Sequence, residues 1–175
     1  LGFDDHGCFE TALRESRRVD SPELIQQLIA RKAERYQDYA AKGLKYFPGA
    51  ADVLTSLASR WPVAICSGAL RSEIDFALRG LGVMDQLAAI IAAEDTTRCK
   101  PDPEGYVLAW KALRARPALG LDRLAPAECL VLEDSLAGIE AGKSAGMHVV
   151  GVPHTYPADA LWKAGADHVI PDLVS

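Results

Sequence analysis

This sequence predicts an α/β fold built on a parallel, Rossmann-like sheet, and three observations carry that reading. From Val63 onward, short apolar runs alternate with helical patterns, which is the signature of β-α-β units with helices on both faces of the sheet. The run Cys129–Leu132 is apolar without alternation, as suits a strand covered on both faces. Two adjacent acids, Glu133 and Asp134, stand where that strand ends, on the edge where ligands gather in open α/β sheets.

The elements follow in order. Residues 1 to 43 read as helical, with Phe9 and Leu13 in one apolar patch. Ser21-Pro22-Glu23 is a helix start, with Ser21 as cap and Pro22 at the first helical position, and Gly43 is a stop. Tyr46-Phe47-Pro48-Gly49 is a turn, followed by a helix over 51–59. Strands are predicted over 63–66, 88–92, 130–132, 148–152 and 168–170. Between them lie helices over 71–81, 104–114, 136–145 and 158–163. Residues 116–127, with Pro, Gly and Leu, read as a surface connection.

Composition narrows the function classes. The 175 residues suffice for one core with a small appendage, and 49% hydrophobic with 25% charged is an ordinary globular mixture. A net charge of −5 leaves no basic footprint, so nucleic acid is excluded as an expected partner. The four cysteines, Cys8, Cys66, Cys99 and Cys129, have neither zinc-ligand spacing nor a disulfide framework, which points to a reducing cytoplasm. No signal peptide opens the sequence and no apolar run is long enough to span a bilayer, so no membrane association is expected.

Three stretches carry chemistry. Ser67-Gly68 ends a strand and offers a hydroxyl and approachable backbone N–H groups for a phosphate oxygen, or else a simple turn. Lys100-Pro101-Asp102-Pro103 is a stiff segment with Asp102 as helix cap and Pro103 at the first helical position. It presents the Lys100 ammonium to phosphate or carboxylate, or leaves it as a solvated lysine. Glu133 and Asp134 supply hard oxygen ligands suited to Mg²⁺, with helix capping by Asp134 or Ser135 as the alternative. A hydroxyl, a lysine and paired acids on successive strand ends suit phosphoryl transfer, where catalysis is positioning and charge neutralisation.

On these residues the sequence resembles the haloacid dehalogenase superfamily. The group is the one with a helical cap near the N-terminus, which includes phosphoglycolate phosphatases, phosphonatases and β-phosphoglucomutases. Ile65-Cys66-Ser67-Gly68 is similar to the second family motif, Lys100-Pro101-Asp102-Pro103 to the third, and Val131 to Ser135 with Gly138 and Ala141-Gly142 to the fourth. Tyr46-Phe47-Pro48-Gly49 resembles the re-entry from cap to core. The resemblance implies a partial cap over residues 1–43 and an α/β core over 44–175. It implies that Ser67 and Gly68 bind the transferred phosphoryl group, that Lys100 neutralises it, and that Glu133 and Asp134 hold Mg²⁺. Arg71 and Lys32 are implied as substrate contacts, and Asp4, Asp5 and His6 as part of a specificity segment.

The first family motif, D-x-D-G-T, is absent, and Asp4-Asp5-His6-Gly7 lacks its spacing. The expectation is a chain without its first core strand and nucleophilic aspartate, inactive by itself. The parent protein is expected to be a Mg²⁺-dependent phosphatase of small phosphorylated metabolites acting through an aspartyl-phosphate. A phosphosugar mutase resembling β-phosphoglucomutase, and an inactive binding module, are the alternatives.

Overall fold

The structure, a computed structural model, describes residues 4–18 and 21–173. Of the segment expected to be helical, residues 1–3 and 19–20 lie outside it. The rest forms two helices, α1 (Asp5–Glu15) and α2 (Pro22–Ala40). Each has a side-chain cap: Asp4 Oδ1 accepts from the Gly7 N–H at 2.8 Å, and Ser21 Oγ accepts from the Leu24 N–H at 3.1 Å. Pro22 occupies the first turn, as its sequence position requires. The two helices pack on each other, and α2 also meets α4 (Arg71–Leu81).

Gly49, at φ 75°, turns the chain into α3 (Ala50–Ala58), a conformation that favours glycine. The remaining elements are β1 (Ala64–Cys66), β2 (Ala89–Ile91), α5 (Glu104–Arg114), β3 (Leu130–Glu133), α6 (Leu136–Ser144), β4 (His148–Gly151), α7 (Ala158–Lys163) and β5 (His168–Val169). The order matches the expected alternation. Helix α5 spans the expected residues, but its cap residue is Pro103 rather than Asp102, whose Oδ1 accepts the Glu104 N–H at 2.9 Å.

All strand pairs are parallel, but the strands form two sheets rather than the one predicted. One contains β1 and β2; the other has the order β3-β4-β5. Each sheet has its own core. Ile74, Leu78, Val83 and Ala92 serve the first, and Tyr106, Val131, Ile139, Met147, Val149 and Leu161 the second. Helix α5 packs against β1, β2 and α6, and so spans both sheets.

The expectation that β3 is covered on both faces is corrected. Val131 and Glu133 are buried, but Leu130 is 64% and Leu132 41% exposed. An apolar run reports that a strand tolerates burial on both faces; whether a layer covers each face depends on other elements. On the buried face α6 lies close: a Cβ on Gly142 would stand 2.8 Å from Val149 Cγ2. Complete burial of Ile139, Val149 and Leu161 contributes about 1.5–3 kcal/mol each.

Candidate active site

The carboxyl ends of β1, β3, β4 and β5 open into one cavity of about 790 Å³. Ser67, Gly68, Lys100, Glu133 and Asp134 all line it, so residues up to 67 positions apart meet at one edge. Lys32 reaches it from α2, and Asp5 from the start of α1.

Ser67 continues β1, its N–H donating to the Ile91 carbonyl at 3.0 Å, and its Oγ accepts the Ala69 N–H at 3.2 Å. The hydroxyl thereby shapes the turn and still faces the cavity with Gly68. Lys100 is no solvated lysine, since its side chain is 15% exposed. Its ammonium donates to the Cys66 carbonyl at 3.4 Å and ion-pairs with Glu133 Oε1, tying the end of β1 to the end of β3. The Tyr106 ring lies beneath it, 5.0 Å from ammonium to centroid.

Glu133 is the most fully bonded acid of the site. Its Oε1 accepts from Lys100 and from the Tyr106 hydroxyl at 2.6 Å. Its Oε2 accepts from Ser135 Oγ at 2.9 Å and from the N–H groups of Asp134 and Ser135, both at 3.2 Å. Burial pushes the carboxyl pKa up. The Lys100 ammonium and the hydrogen bonds from Lys100, Tyr106 and Ser135 outweigh it, so the net shift is below the ordinary value. Tyr106 shifts the other way, raised by burial and then by the Glu133 charge, and stays a hydroxyl donor. Gly138 is required here, because a Cβ would stand 2.0 Å from the Glu133 carboxyl carbon. Ser135, not Asp134, caps α6, accepting the Gly138 N–H at 3.0 Å.

Asp134 is thus left facing the cavity, its side chain 46% exposed. Oδ2 accepts from the Thr155 hydroxyl, with His154 Nδ1 3.9 Å away. Among the described residues no group of three or more His, Cys, Asp or Glu could hold a metal ion. Mg²⁺ is held by one or two carboxylates, with waters and phosphate oxygens completing the shell, so an outward-facing Asp134 fits that mode.

Other expectations fall differently. Arg71, expected as a substrate contact, does not line the cavity; its guanidinium donates to the Ile90 carbonyl at 2.9 Å and pairs with Asp95. Asp4 and His6 line a separate groove with Glu10, Arg98 and Cys99, Asp4 also borders a small cavity with Ser67, Gly68 and Lys100, and Asp5 lines the main cavity. Lys32 lines the cavity, but its ammonium is held by Glu73 at 2.7 Å and Asp5 at 3.0 Å. Burial lowers its pKa, and the hydrogen bonds to Glu73 and Asp5 reverse that to a net rise.

Sequence reasoning missed Tyr106, Phe47, His154 and Thr155 as site residues. His154 and Thr155 follow β4, so the strand-end rule that found Asp134 also applies to them. Phe47 stands edge-on to His154, centroids 4.3 Å apart, which brings the re-entry turn to the cavity rim. Among the described residues no helix is long and apolar enough to cross a membrane.

Comparison with known proteins fits this geometry. A family model described as haloacid dehalogenase-like hydrolase matches residues 8–146. The validoxylamine A 7'-phosphate phosphatase of Streptomyces hygroscopicus subsp. limoneus is 38% identical over 126 residues, covering 71% of this chain and 54% of its own length. The protein CbbY of Rhodobacter capsulatus is 33% identical over 154 residues, 85% of this chain and 63% of its own. The chain therefore spans less than two thirds of either relative. A crystal structure of CbbY from Rhodobacter sphaeroides in complex with phosphate covers 98% of this chain and 74% of its own, with a TM-score of 0.80; at 24% identity the likeness is one of fold.

Proposed function

The chain belongs to the haloacid dehalogenase-like hydrolase family, in the helical-cap group that resembles β-phosphoglucomutase and CbbY, and from that premise we propose that the whole protein is a Mg²⁺-dependent phosphatase of small phosphorylated metabolites. One observation carries the proposal: Ser67, Gly68, Lys100, Glu133 and Asp134 line a single cavity at the carboxyl ends of the strands.

The roles follow from the groups. The Ser67 hydroxyl and Gly68 N–H bind oxygens of the transferring phosphoryl group. Lys100, fixed by Glu133 and the Cys66 carbonyl, sets a positive charge beside it. Asp134, backed by Glu133, would hold Mg²⁺, which when bound supplies charge neutralisation at the phosphoryl oxygens. The attacking group is proposed to be an aspartate outside the given residues, on a first core strand between β1 and β3. The separate sheets and the exposed Leu130 and Leu132 support that placement. Its oxygen bonds to phosphorus as the bond from phosphorus to the ester oxygen breaks and that oxygen takes a proton from water, giving an aspartyl-phosphate, the free alcohol and hydroxide. That hydroxide equivalent of water then attacks phosphorus as the bond from phosphorus to the aspartate oxygen breaks, releasing phosphate and restoring the carboxylate.

In the full-length protein, Asp134→Asn removes the charge facing the cavity. Mg²⁺-dependent release of phosphate from a phosphomonoester is expected to fall by roughly two orders of magnitude or more. Unchanged turnover in that variant would rule out the assignment.

A further inference from the structure

The loop after β4 meets Asp134, yet the reactions above leave it idle. Strand β3 fixes Asp134 only through its backbone, whose N–H donates to Glu133 Oε2 at 3.2 Å. The side chain stands 46% exposed on the cavity wall, where a carboxylate left to itself samples several rotamers. A ligand spread over rotamers holds a cation less tightly, because binding must first order it.

The Thr155 hydroxyl restrains that side chain by donating to Asp134 Oδ2. The bond is charge-assisted, since the acceptor is a carboxylate. It fixes the plane of the carboxylate and leaves the other oxygen for a cation. His154 Nδ1 is 3.9 Å from Oδ2, beyond hydrogen-bond range, so it does not take the place of the hydroxyl. Loop threonines commonly bond to nearby backbone or cap a helix. This one does not cap α7, whose cap residue is Pro157 with no side-chain bond; its hydroxyl reaches across to the end of another strand.

Thr155 is itself held. Gly151 pairs with Glu133 in the sheet and the Val152 N–H donates to the Glu133 carbonyl at 2.7 Å, so the loop leaves β4 beside the base of Asp134. Pro153 has a fixed φ, and His154 meets the Phe47 ring edge-on at 4.3 Å. On the other side Tyr156 packs against the second core, and α7 anchors the chain through the fully buried Leu161. Residues 153–157 are clamped at both ends, so little ordering is needed to present the hydroxyl.

On the reading of Asp134 as the Mg²⁺ ligand, we propose that Thr155 is a positioning residue: its hydroxyl holds Asp134 in the orientation that receives the cation.

The test is calorimetric titration of the full-length protein with MgCl₂ alone, no substrate present. Thr155→Val keeps the side-chain shape and removes the hydroxyl; Thr155→Ser keeps the hydroxyl. The Kd for Mg²⁺ is expected to rise about tenfold or more in Thr155→Val, and to stay close to the wild-type value in Thr155→Ser. Thr155→Ala, a second removal of the hydroxyl, is expected to match Thr155→Val. Thr155 is exposed, so the metal-free variants are expected to keep the wild-type thermal midpoint. If Thr155→Val and Thr155→Ala bind Mg²⁺ as tightly as wild type, or more tightly, the inference is wrong and the reading of Asp134 stands. Equal weakening in Thr155→Ser would assign the effect to packing and overturn the inference too. If the wild-type protein binds no Mg²⁺, the reading of Asp134 falls and the inference with it.

Discussion

Glu133 looks from its position like a metal ligand, yet both its oxygens are taken up within the protein. Its main work is to fix Lys100 from below, with Tyr106 and Ser135 completing the acid's hydrogen bonds. Tyr106→Phe removes a buried donor to a charged acceptor, which is expected to cost about 1.5–3 kcal/mol in urea unfolding. It is also expected to lower kcat more than it raises KM in the full-length protein, because Glu133, one hydrogen bond short, holds Lys100 less firmly while the cavity wall keeps its shape. The sequence made Ser67, Lys100 and Asp134 legible because each follows a strand or stiff turn at a predictable edge. Tyr106 was hidden, since one tyrosine on an amphipathic helix reads as ordinary packing. Arg71 lies outside the cavity lining for a related reason. Proximity to Ser67 in sequence fixes the position of its Cα but not the direction of a long side chain, which turns to Asp95.

Elements were more legible than their coverage. Caps and turn residues marked α2 and α3 correctly because those signals act locally, on the N–H groups of a single helix end. Ser21→Ala leaves the Leu24 N–H without its side-chain acceptor and is expected to lower stability by about 1 kcal/mol, read from the shift in thermal midpoint. The burial of β3 is a different kind of property. Cys129–Leu132 has the composition of a doubly covered strand, but covering depends on which distant elements pack there, and Leu130 and Leu132 stand exposed. Likewise the run order predicted parallel strands, which holds, and a single sheet, which does not. Strand sequence specifies hydrogen-bonding capacity; it does not specify which neighbour arrives.

At the scale of the whole molecule, two buried or half-buried ion pairs link stability to pH in opposite directions. Glu133 has a folded pKa below its unfolded value, so its contribution is present above about pH 4.3 and is lost as pH falls through the folded pKa. Lys32 has a raised pKa, so its contribution is complete below about pH 10.4 and is lost as pH rises through the folded value. Unfolding midpoints measured across pH are therefore expected to fall at both extremes. Glu133→Gln should flatten the acid limb, since no carboxylate remains there to be protonated, while leaving the alkaline limb in place. The acid limb of Glu133→Gln keeping the wild-type slope would place the linkage elsewhere.

Helix α5 has one further consequence. With Gly105 it lies so near β1 that a Cβ would come within 2.7 Å of Cys66 Sγ, and with Tyr106 it reaches β3 through Glu133. It acts as a yoke across two separately hydrogen-bonded sheets. The ends of β1 and β3, which lead into Ser67 and Asp134, are thereby tied to one helix.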